Sequence, residues 1–249
     1  MENSVTFLFS GDSALVMEFG NEISVDINKK IRKMMDNIKK EKIDGIVELV
    51  PTYCSLLVNY DALKLDYQSL VEKLKNLLQD EKETMEEEEV TLIEIPTLYN
   101  DDFGPDLSYV AQYNKLSKEE VIDIHTGRDY LVYMLGFMPG FTYLGGMSEK
   151  IATPRLESPR LQIYPGSVGI AGKQTGMYPS LSPGGWRIIG RTPLKLYNPD
   201  SDPPVYINAG DYIRYVSISE EEYNRILKEV ENKEYKLKIR KVKRGELNA

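Results

Sequence analysis

The sequence contains a single cysteine, Cys54, and a single histidine, His125, among its 249 residues. One cysteine excludes an internal disulfide framework. One cysteine and one histidine also cannot assemble a zinc site of the Cys/His type or the HExxH motif of a metalloprotease. A Ser-His-Asp triad is arithmetically allowed, but the segment GSVG at residues 166–169 lacks the GxSxG turn of serine hydrolases. We therefore expect neither a metal ligand set nor a serine hydrolase site.

Basic charge is also scarce, with 31 Lys and Arg residues against 39 Asp and Glu and a net charge of −8. A nucleic-acid binder needs basic surface to displace counterions, so that function is disfavoured. No apolar run approaches the roughly 18–20 residues of a membrane span, and the first residues lack the basic-then-apolar order of a signal peptide. With 41% hydrophobic and 28% charged residues, the composition is typical of a soluble globular protein, and we expect a cytoplasmic location.

Residues 1–80 predict a small α+β domain. Two short strand patterns, at residues 5–10 and 14–19, flank a turn. Apolar residues recur at helical spacing over residues 23–38 and predict a helix. A second strand pair and a second helix follow at residues 46–50, 56–60 and 70–78. The order ββαββα indicates a compact two-layer unit.

Two charged segments lie on either side of the second half of the sequence. Residues 80–89 (DEKETMEEEE) hold seven acidic side chains, a pattern typical of a solvated linker, which we place at 81–89. A docking surface for a basic partner is the alternative. Residues 219–249 predict a helix and then a basic tail. We interpret the tail first as disordered and solvated, and second as a contact for the acidic linker or an acidic partner subunit.

Residues 90–218 predict a β-barrel domain. A strand begins at Val90, and helical segments follow at residues 106–113 and 117–124, the second with the capping-box pattern Ser-Lys-Glu-Glu. Further strands are predicted at residues 130–135, 194–197 and 212–217. Many short strands separated by irregular loops are typical of a barrel.

Residues 136–193 hold eleven of the 18 glycines, seven of the 13 prolines and the only tryptophan. Such crowding excludes a long helix and predicts tight turns whose conformations are individually specified. This region holds Gln174 and four arginines: Arg155, Arg160, Arg187 and Arg191. Planar donors on fixed loops are what a site for a carboxylate, amide or phosphate requires, so we place the function here.

The segment GSVGIAGKQ invites comparison with a phosphate-binding P-loop. Five residues separate Gly166 from Gly172 where that motif has four, and Lys173 is followed by Gln174 where it has Ser or Thr. Gly176 and the prolines after it also preclude the helix that should follow. The sequence therefore assigns no nucleotide loop to this chain.

Three motifs carry a family resemblance. They are GFMPGFTYLGG at residues 136–146, PRLESPR at 154–160 and GSVGIAGKQTGMYPSLSPGGWRIIGRTP at 166–193, with GDSALVMEFG and VPTYCSLLVNYD earlier in the chain. Together they resemble the family of the bacterial 5-oxoprolinase B subunit, also called allophanate hydrolase subunit 1, which includes the Kip-type inhibitor of a sporulation histidine kinase. The resemblance extends to about residue 216. Thr142 replaces an expected proline and Tyr164 a smaller aliphatic residue, and we interpret both as packing changes.

The resemblance implies a fold, an activity and partners. The second domain is expected to be a cyclophilin-like β-barrel, and the chain is expected to be the B subunit of an ATP-dependent 5-oxoprolinase, a lactam hydrolase inactive without its A and C subunits. ATP is expected in the assembled complex, with its site not assigned to this chain. The alternatives are inhibition of a sporulation-type sensor histidine kinase and, third, a component of urea carboxylase or allophanate hydrolase.

Candidate site residues follow from this combination of pattern and resemblance. His125 is predicted to transfer protons, with a structural hydrogen-bonding role as the alternative. The side chains predicted to bind or orient the substrate are Arg155, Arg160, Gln174, Tyr178 and Arg191. The predicted pocket wall consists of Phe137, Phe141 and Trp186, for which a core position is the alternative.

Overall fold

The computed structural model describes residues 5–79 and 89–248 of a mixed α/β protein. Contacts divide the chain into two compact units, Met1–Glu86 and Glu87–Ala249. The predicted acidic linker at 81–89 lies outside the described residues except for Glu89, which begins the first strand of the second unit. Among the described helices, none has the length and apolar character needed to span a membrane.

The first unit is an antiparallel sheet with two helices. Its elements are β1 (Thr6–Phe9), β2 (Ala14–Glu18), α1 (Val25–Glu41), β3 (Ile46–Pro51), β4 (Ser55–Tyr60) and α2 (Tyr67–Gln79). The strand order in the sheet is β1-β2-β4-β3. Both helices pack on one core, whose sheet side is formed by alternate residues of β2 and β4, because successive side chains of a strand point to opposite faces.

Helix α1 shows how local sequence determines an element of this unit. The Ser24 side chain accepts a hydrogen bond from the Asp26 amide at 3.2 Å and caps the helix. The helix ends at Lys42, which has a left-handed backbone with φ of 49°. Between the caps, apolar side chains at helical spacing are buried, including Ile31 and Met34. The predicted helix is confirmed, with its start two residues later and its end three residues later than the spacing indicated.

The described part of the second unit contains ten strands, paired in one large sheet and one small one, together with three α-helices. The strands from the first half are β5 (Glu89–Thr97), β6 (Asp129–Leu135), β7 (Thr142–Gly145), β8 (Arg160–Ile163) and β9 (Ser167–Ala171). Those that follow are β10 (Gln174–Met177), β11 (Ser182–Gly184), β12 (Arg187–Arg191), β13 (Tyr212–Ser217) and β14 (Ile239–Lys243). The helices are α3 (Leu107–Asn114), α4 (Lys118–Thr126) and α5 (Glu220–Glu231).

The large sheet of this unit closes on itself. Its strand order is β12-β9-β10-β7-β6-β13-β5-β14, and β8 pairs separately with β11. Leu98, directly after β5, exchanges two backbone hydrogen bonds with Arg191 at the end of β12, of 2.9 and 3.0 Å. This pair joins the first strand of the order to β5, so seven strands form a ring and β14 lies outside it. Closure removes the exposed edges that an open sheet leaves.

The capping box predicted for the second short helix is present. Ser117 accepts a hydrogen bond from the Glu120 amide at 3.1 Å, and the Glu120 carboxylate accepts one from the Ser117 amide at 2.7 Å. The helix that follows, α4, contributes Val121 to the core, where it packs with α3 and the ring strands. The two orphan amides are thus satisfied at the point where α4 begins.

The strand predicted at residues 194–197 is absent from the structure, and this prediction is wrong. Leu194 and Leu196 are both buried, and this burial produced the alternating pattern. The Leu194 amide bonds to the Thr192 hydroxyl at 3.3 Å instead of to a neighbouring strand. Alternation therefore reports on which side chains are buried and does not by itself establish pairing with a neighbouring strand.

The basic C-terminal segment forms a strand, so the prediction of a disordered tail is wrong, although most of its residues are exposed to solvent. Strand β14 pairs antiparallel with β5. Beyond it, the Asn248 amide donates to the fully buried carboxylate of Asp129 at 2.8 Å. Arg214 also binds this carboxylate through two hydrogen bonds of 2.6 Å. Opposite charge on β5 holds the strand as well, because Arg240 forms an ion pair with Glu94.

Replacing Arg214 with methionine is expected to lower the free energy of unfolding of the second unit by about 3 kcal/mol. The change leaves the buried Asp129 carboxylate without its cation, and an uncompensated buried charge is strongly destabilising. Urea unfolding followed by the fluorescence of Trp186 measures this unit alone, because the only tryptophan lies in it. The control is Lys241→Met, an exposed cation of the same sheet. Equal losses in the two variants would contradict the prediction.

Candidate functional site

The aromatic residues predicted as a pocket wall meet in one cluster on the second unit. The ring of Phe141 lies 5.4 Å from that of Tyr178 and 5.6 Å from that of Trp186, edge to face in both cases. These three rings pack with the aliphatic side chains Ile163, Ala171 and Ile188. We call these six residues the Trp186 cluster. Phe141 and Trp186 are buried, so the core position that was the alternative for these rings is the one that the structure shows.

Phe137 differs from the other predicted wall residues because it is 68% exposed. Its φ of 68° lies in the left-handed region, which is rare for an aromatic residue. A hydrogen bond of 2.8 Å from the Met138 amide to the Gly136 carbonyl closes a tight turn around it. The turn directs the Phe137 ring outward, 5.6 Å from the ring of Phe141. Strained backbone that displays a large side chain is typical of contact sites.

Arg155 and Tyr178 provide the polar groups at this cluster. The exposed guanidinium of Arg155 lies 5.9 Å from the ring centre of Trp186. Burial raises the pKa of the Tyr178 phenol to about 12, while the charges of Arg155 and Arg160 oppose the shift. The phenol is therefore protonated at neutral pH and can donate a hydrogen bond.

Arg160 forms an ion pair with Asp106, a residue that the sequence analysis did not predict as part of the site. Its guanidinium forms two contacts of 2.9 Å with the buried carboxylate of Asp106. Asp106 also accepts the Ile188 amide at 2.7 Å, and Arg187 lies 3.7 Å from it. The predicted role of Arg160 in anion binding is not supported by this geometry, because its fork already binds an anion. The signal for Asp106 was a carboxylate at the start of the helix predicted at residues 106–113, a common pattern that did not reveal this partner.

Arg191 lies at the other end of β12 and is stacked rather than paired. Its guanidinium is 4.6 Å from the ring centre of Phe103 and 5.2 Å from that of Tyr164. Its Nε is buried and has no hydrogen-bond partner among the described residues. Tyr164, one of the two departures from the family motif, thus supports a cation and is more than a packing change. Arg191 also forms a side-chain hydrogen bond with Tyr223, and no carboxylate of the described residues forms a salt bridge with it.

Gln174 begins β10, where it pairs with Ala171 of the Trp186 cluster across a hairpin. This hairpin is the segment GSVGIAGKQ: strand β9, a turn at Gly172 with φ of 61°, and strand β10. A P-loop instead wraps phosphate in amides at the start of a helix. The residues here do not fit ATP, and no nucleotide chemistry is derived from them.

His125, the predicted proton-transfer residue, lies in the core with no exposed surface. Its Nδ1 is 2.8 Å from the Tyr99 hydroxyl and its Nε2 is 2.8 Å from the Thr175 hydroxyl. Burial lowers the pKa of the imidazole to about 3. A catalytic role for His125 is not supported, because both ring nitrogens are bonded inside the core and out of reach of a substrate.

The hydrogen bonds around His125 determine its tautomer. The Thr175 hydroxyl donates to the Gly169 carbonyl at 3.1 Å, so it accepts from the imidazole. Nε2 therefore carries the ring proton, and Nδ1 accepts from the Tyr99 hydroxyl. The Tyr130 hydroxyl donates to the backbone carbonyl of His125 at 2.7 Å. These hydrogen bonds form a network that joins α4 to β6, to β10 and to the segment that follows β5.

The fold and motifs identify a class of protein. The chain belongs to the family of the carboxyltransferase domain, subdomain C and D, because the model of that family matches residues 5–207. Its relatives include the 5-oxoprolinase B subunit of Bacillus subtilis, 45% identical over 223 residues that cover 86% of this chain and 93% of the relative. The corresponding 5-oxoprolinase subunit of Escherichia coli O157:H7 is 48% identical over 124 residues, 50% of this chain and 57% of that one. The family resemblance of the motifs is confirmed.

Other relatives show where the same fold occurs. The urea amidolyase of Saccharomyces cerevisiae is 26% identical over 95% of this chain and 14% of its own length. A conserved uncharacterized protein from Pyrococcus horikoshii is 52% identical, with a TM-score of 0.52, over 88% of this chain and all of that chain. The Kluyveromyces lactis urea carboxylase, at 19% identity and a TM-score of 0.78, covers 96% of this chain and 24% of its own. That likeness shows a shared fold.

Lowering the pH from 7 to 5.5 is expected to reduce the free energy of unfolding by about 1 kcal/mol, because His125 binds a proton only in the unfolded chain. The folded-state pKa of about 3 lies below the ordinary value of 6.5. Between these two values the unfolded chain binds a proton that the folded chain does not, so stability falls as the pH falls. Urea unfolding at a series of pH values measures the effect, because this window lies above the ordinary pKa of most carboxylates.

The matched variant for this prediction is His125→Gln, which should be less stable at pH 7 but lose the pH dependence in this window. Nitrogen-15 NMR of a tag-free sample reads the ring directly, because the chain has one histidine. We expect a proton on Nε2 alone and no titration between pH 8 and 5. A ring that titrates near 6.5 would contradict both the burial and the tautomer.

Proposed function

We propose that this chain is the B subunit of an ATP-dependent 5-oxoprolinase, which opens the lactam of 5-oxo-L-proline to L-glutamate together with partner A and C subunits. The observation that carries the proposal is the 45% identity to the Bacillus subtilis protein over 93% of that protein's length. The match of 223 residues is longer than either unit of this chain. It therefore concerns the chain as a whole and not one shared domain.

The chain's contribution is the binding of negative charge. Lactam hydrolysis places charge on the amide oxygen as the bond is attacked, and fixed donors stabilise that charge. Arg191 has an unused Nε and stacks on two rings that fix its plane. Arg155 and Tyr178 offer a second set of donors at the Trp186 cluster, with Gln174 as an orienting amide. We assign these four side chains to substrate or anion binding.

The rest of the active site comes from the partners. The hairpin that resembles a nucleotide loop does not form one, so ATP is assigned to the assembled complex. With His125 neutral and enclosed, proton transfer is assigned to groups outside this chain as well. This division of roles predicts that the chain is inactive alone. We place the complex in the cytoplasm and expect the closed ring of the second unit to be a cyclophilin-like barrel.

The second candidate function is inhibition of a sporulation-type histidine kinase, to which the chain would bind. The observation that favours it is the display of large apolar side chains on the second unit, with Phe137 68%, Leu161 90% and Leu181 54% exposed. A component of urea carboxylase or allophanate hydrolase ranks third, because those relatives are more distant in sequence.

Activity should appear only in the full assembly. Incubating this chain with candidate A and C subunits, ATP and 5-oxo-L-proline is expected to yield L-glutamate, and each protein alone is expected to yield none, because no single chain holds the complete site. Chromatographic measurement of glutamate is the readout, and omission of ATP is the control. A stable complex that makes no glutamate would move the assignment to kinase inhibition.

Replacing Arg191 with alanine is expected to lower the turnover of the assembled complex by about 100-fold, the effect of removing one donor to developing negative charge. Arg191→Lys keeps the charge and should recover part of the rate, without the flat fork that stacks on Phe103 and Tyr164. The control is Arg225→Ala on the exposed side of α5, whose partners Glu222 and Glu229 lie on the same helix. Unchanged Trp186 fluorescence shows that the fold is retained, and an unchanged rate would remove Arg191 from the site.

A further inference from the structure

The second unit contains a cavity of 390 Å³ between α5, residues 192–198 and Pro165. Part of its wall is apolar, formed by Pro193, Leu227 and Val230. The volume is within the range of pockets that bind small molecules. Pro193 ends the third family motif, but the sequence analysis predicted none of these three residues as part of a binding site.

Two lysines stand at the solvent side of this cavity. Lys195 and Lys233 both line it and are exposed. The ammonium of Lys195 donates to Asn198 Oδ1 at 3.0 Å, which holds it beside the cavity. Within residues 5–79 and 89–248, no carboxylate forms a salt bridge with either lysine. Two lysines that form no salt bridge with the described residues, beside the apolar part of the wall, indicate an anionic ligand with an apolar body.

Arg191 adds positive charge next to the cavity. Thr192, the following residue, and Tyr223 both line it. Burial raises the pKa of the Tyr223 phenol and the charge of Arg191 opposes that shift, which places the guanidinium close to the phenol. The Phe103 ring on which Arg191 stacks is 5.0 Å from the ring of Tyr223. The cavity and the arginine assigned to anion binding are therefore neighbours.

The end of α5 does not repel an anion from this position. A helix C-terminus normally presents free carbonyls with partial negative charge. Here three of the last carbonyls accept backbone amides that follow the helix: Lys228 from Asn232, Val230 from Lys233 and Glu229 from Glu234. The negative group that remains is Glu231, which lines the cavity. Its charge disfavours a ligand that carries a second carboxylate.

We propose that this cavity binds a compact monocarboxylate, with the carboxylate between Lys195 and Lys233 and the carbon skeleton against Leu227 and Val230. The identity of the ligand rests on the proposed function. 5-Oxo-L-proline is such a monocarboxylate. Its product L-glutamate carries a second carboxylate, which Glu231 repels, and an α-ammonium, which would lose water against the apolar wall. The site thereby holds the substrate of the reaction more tightly than its product.

The test is calorimetric titration of the full, tag-free chain with 5-oxo-L-proline, L-glutamate and inorganic phosphate. We expect 5-oxo-L-proline to bind, and the other two to bind about tenfold more weakly or not at all. The double variant Lys195→Gln/Lys233→Gln should weaken 5-oxo-L-proline binding by about tenfold or more, the effect of losing hydrogen bonds to a charged group. Val230→Phe fills the cavity without changing its charge and should also abolish binding.

The matched control is Lys236→Gln, an exposed lysine that does not line the cavity. In the assembled complex, the double lysine variant and Val230→Phe should raise KM for 5-oxo-L-proline with little change in kcat, and Lys236→Gln should change neither. If the complex is inactive but the chain binds 5-oxo-L-proline through the two lysines, the proposed function is wrong and the site stands. If the complex is active and the double variant keeps its KM and its affinity, the site is wrong and the function stands. Equal affinity for phosphate would also overturn the proposal.

Discussion

The buried carboxylate of Asp106 joins the parts of the second unit on which the candidate site is built. It binds the guanidinium of Arg160 on β8, accepts the backbone amide of Ile188 on β12 and lies at the start of α3. Trp186 directly precedes β12, so its position depends on the same contacts. A carboxylate taken out of water is tolerated only with such partners. Because the buried carboxylate needs partners on both β8 and β12, it determines how the small β8–β11 sheet lies against the closed ring.

Helices were predictable wherever local signals agreed. The spacing of apolar residues identified α1, and the capping box from Ser117 to Glu120 identified α4. A barrel was predicted for this unit, but the point at which its ring closes was not, because closure depends on backbone hydrogen bonds between Leu98 and Arg191, which are far apart in sequence. Alternation at residues 194–197 misled because buried side chains produce the same pattern with or without a paired neighbour.

The sequence indicated which residues gather in the Gly- and Pro-rich region, but it did not indicate which groups each of them contacts. The Gly- and Pro-rich region does bring Phe141, Tyr178 and Trp186 together, and these rings came from composition and family motif. Sequence could not tell that Arg160 is bound by a carboxylate or that His125 is enclosed, since both facts depend on contacts with distant segments. Histidine is a proton carrier only when water or substrate reaches it, and burial makes this one a neutral structural element.

The pairing of β14 with β5 has a consequence for synthesis of the protein on the ribosome. Arg240 and Glu94 are 146 residues apart, and β5 begins the unit that β14 completes. While the chain emerges, β5 therefore exposes a strand edge rich in Val and Ile until β14 has been made. Strand edges of this kind readily pair with other chains.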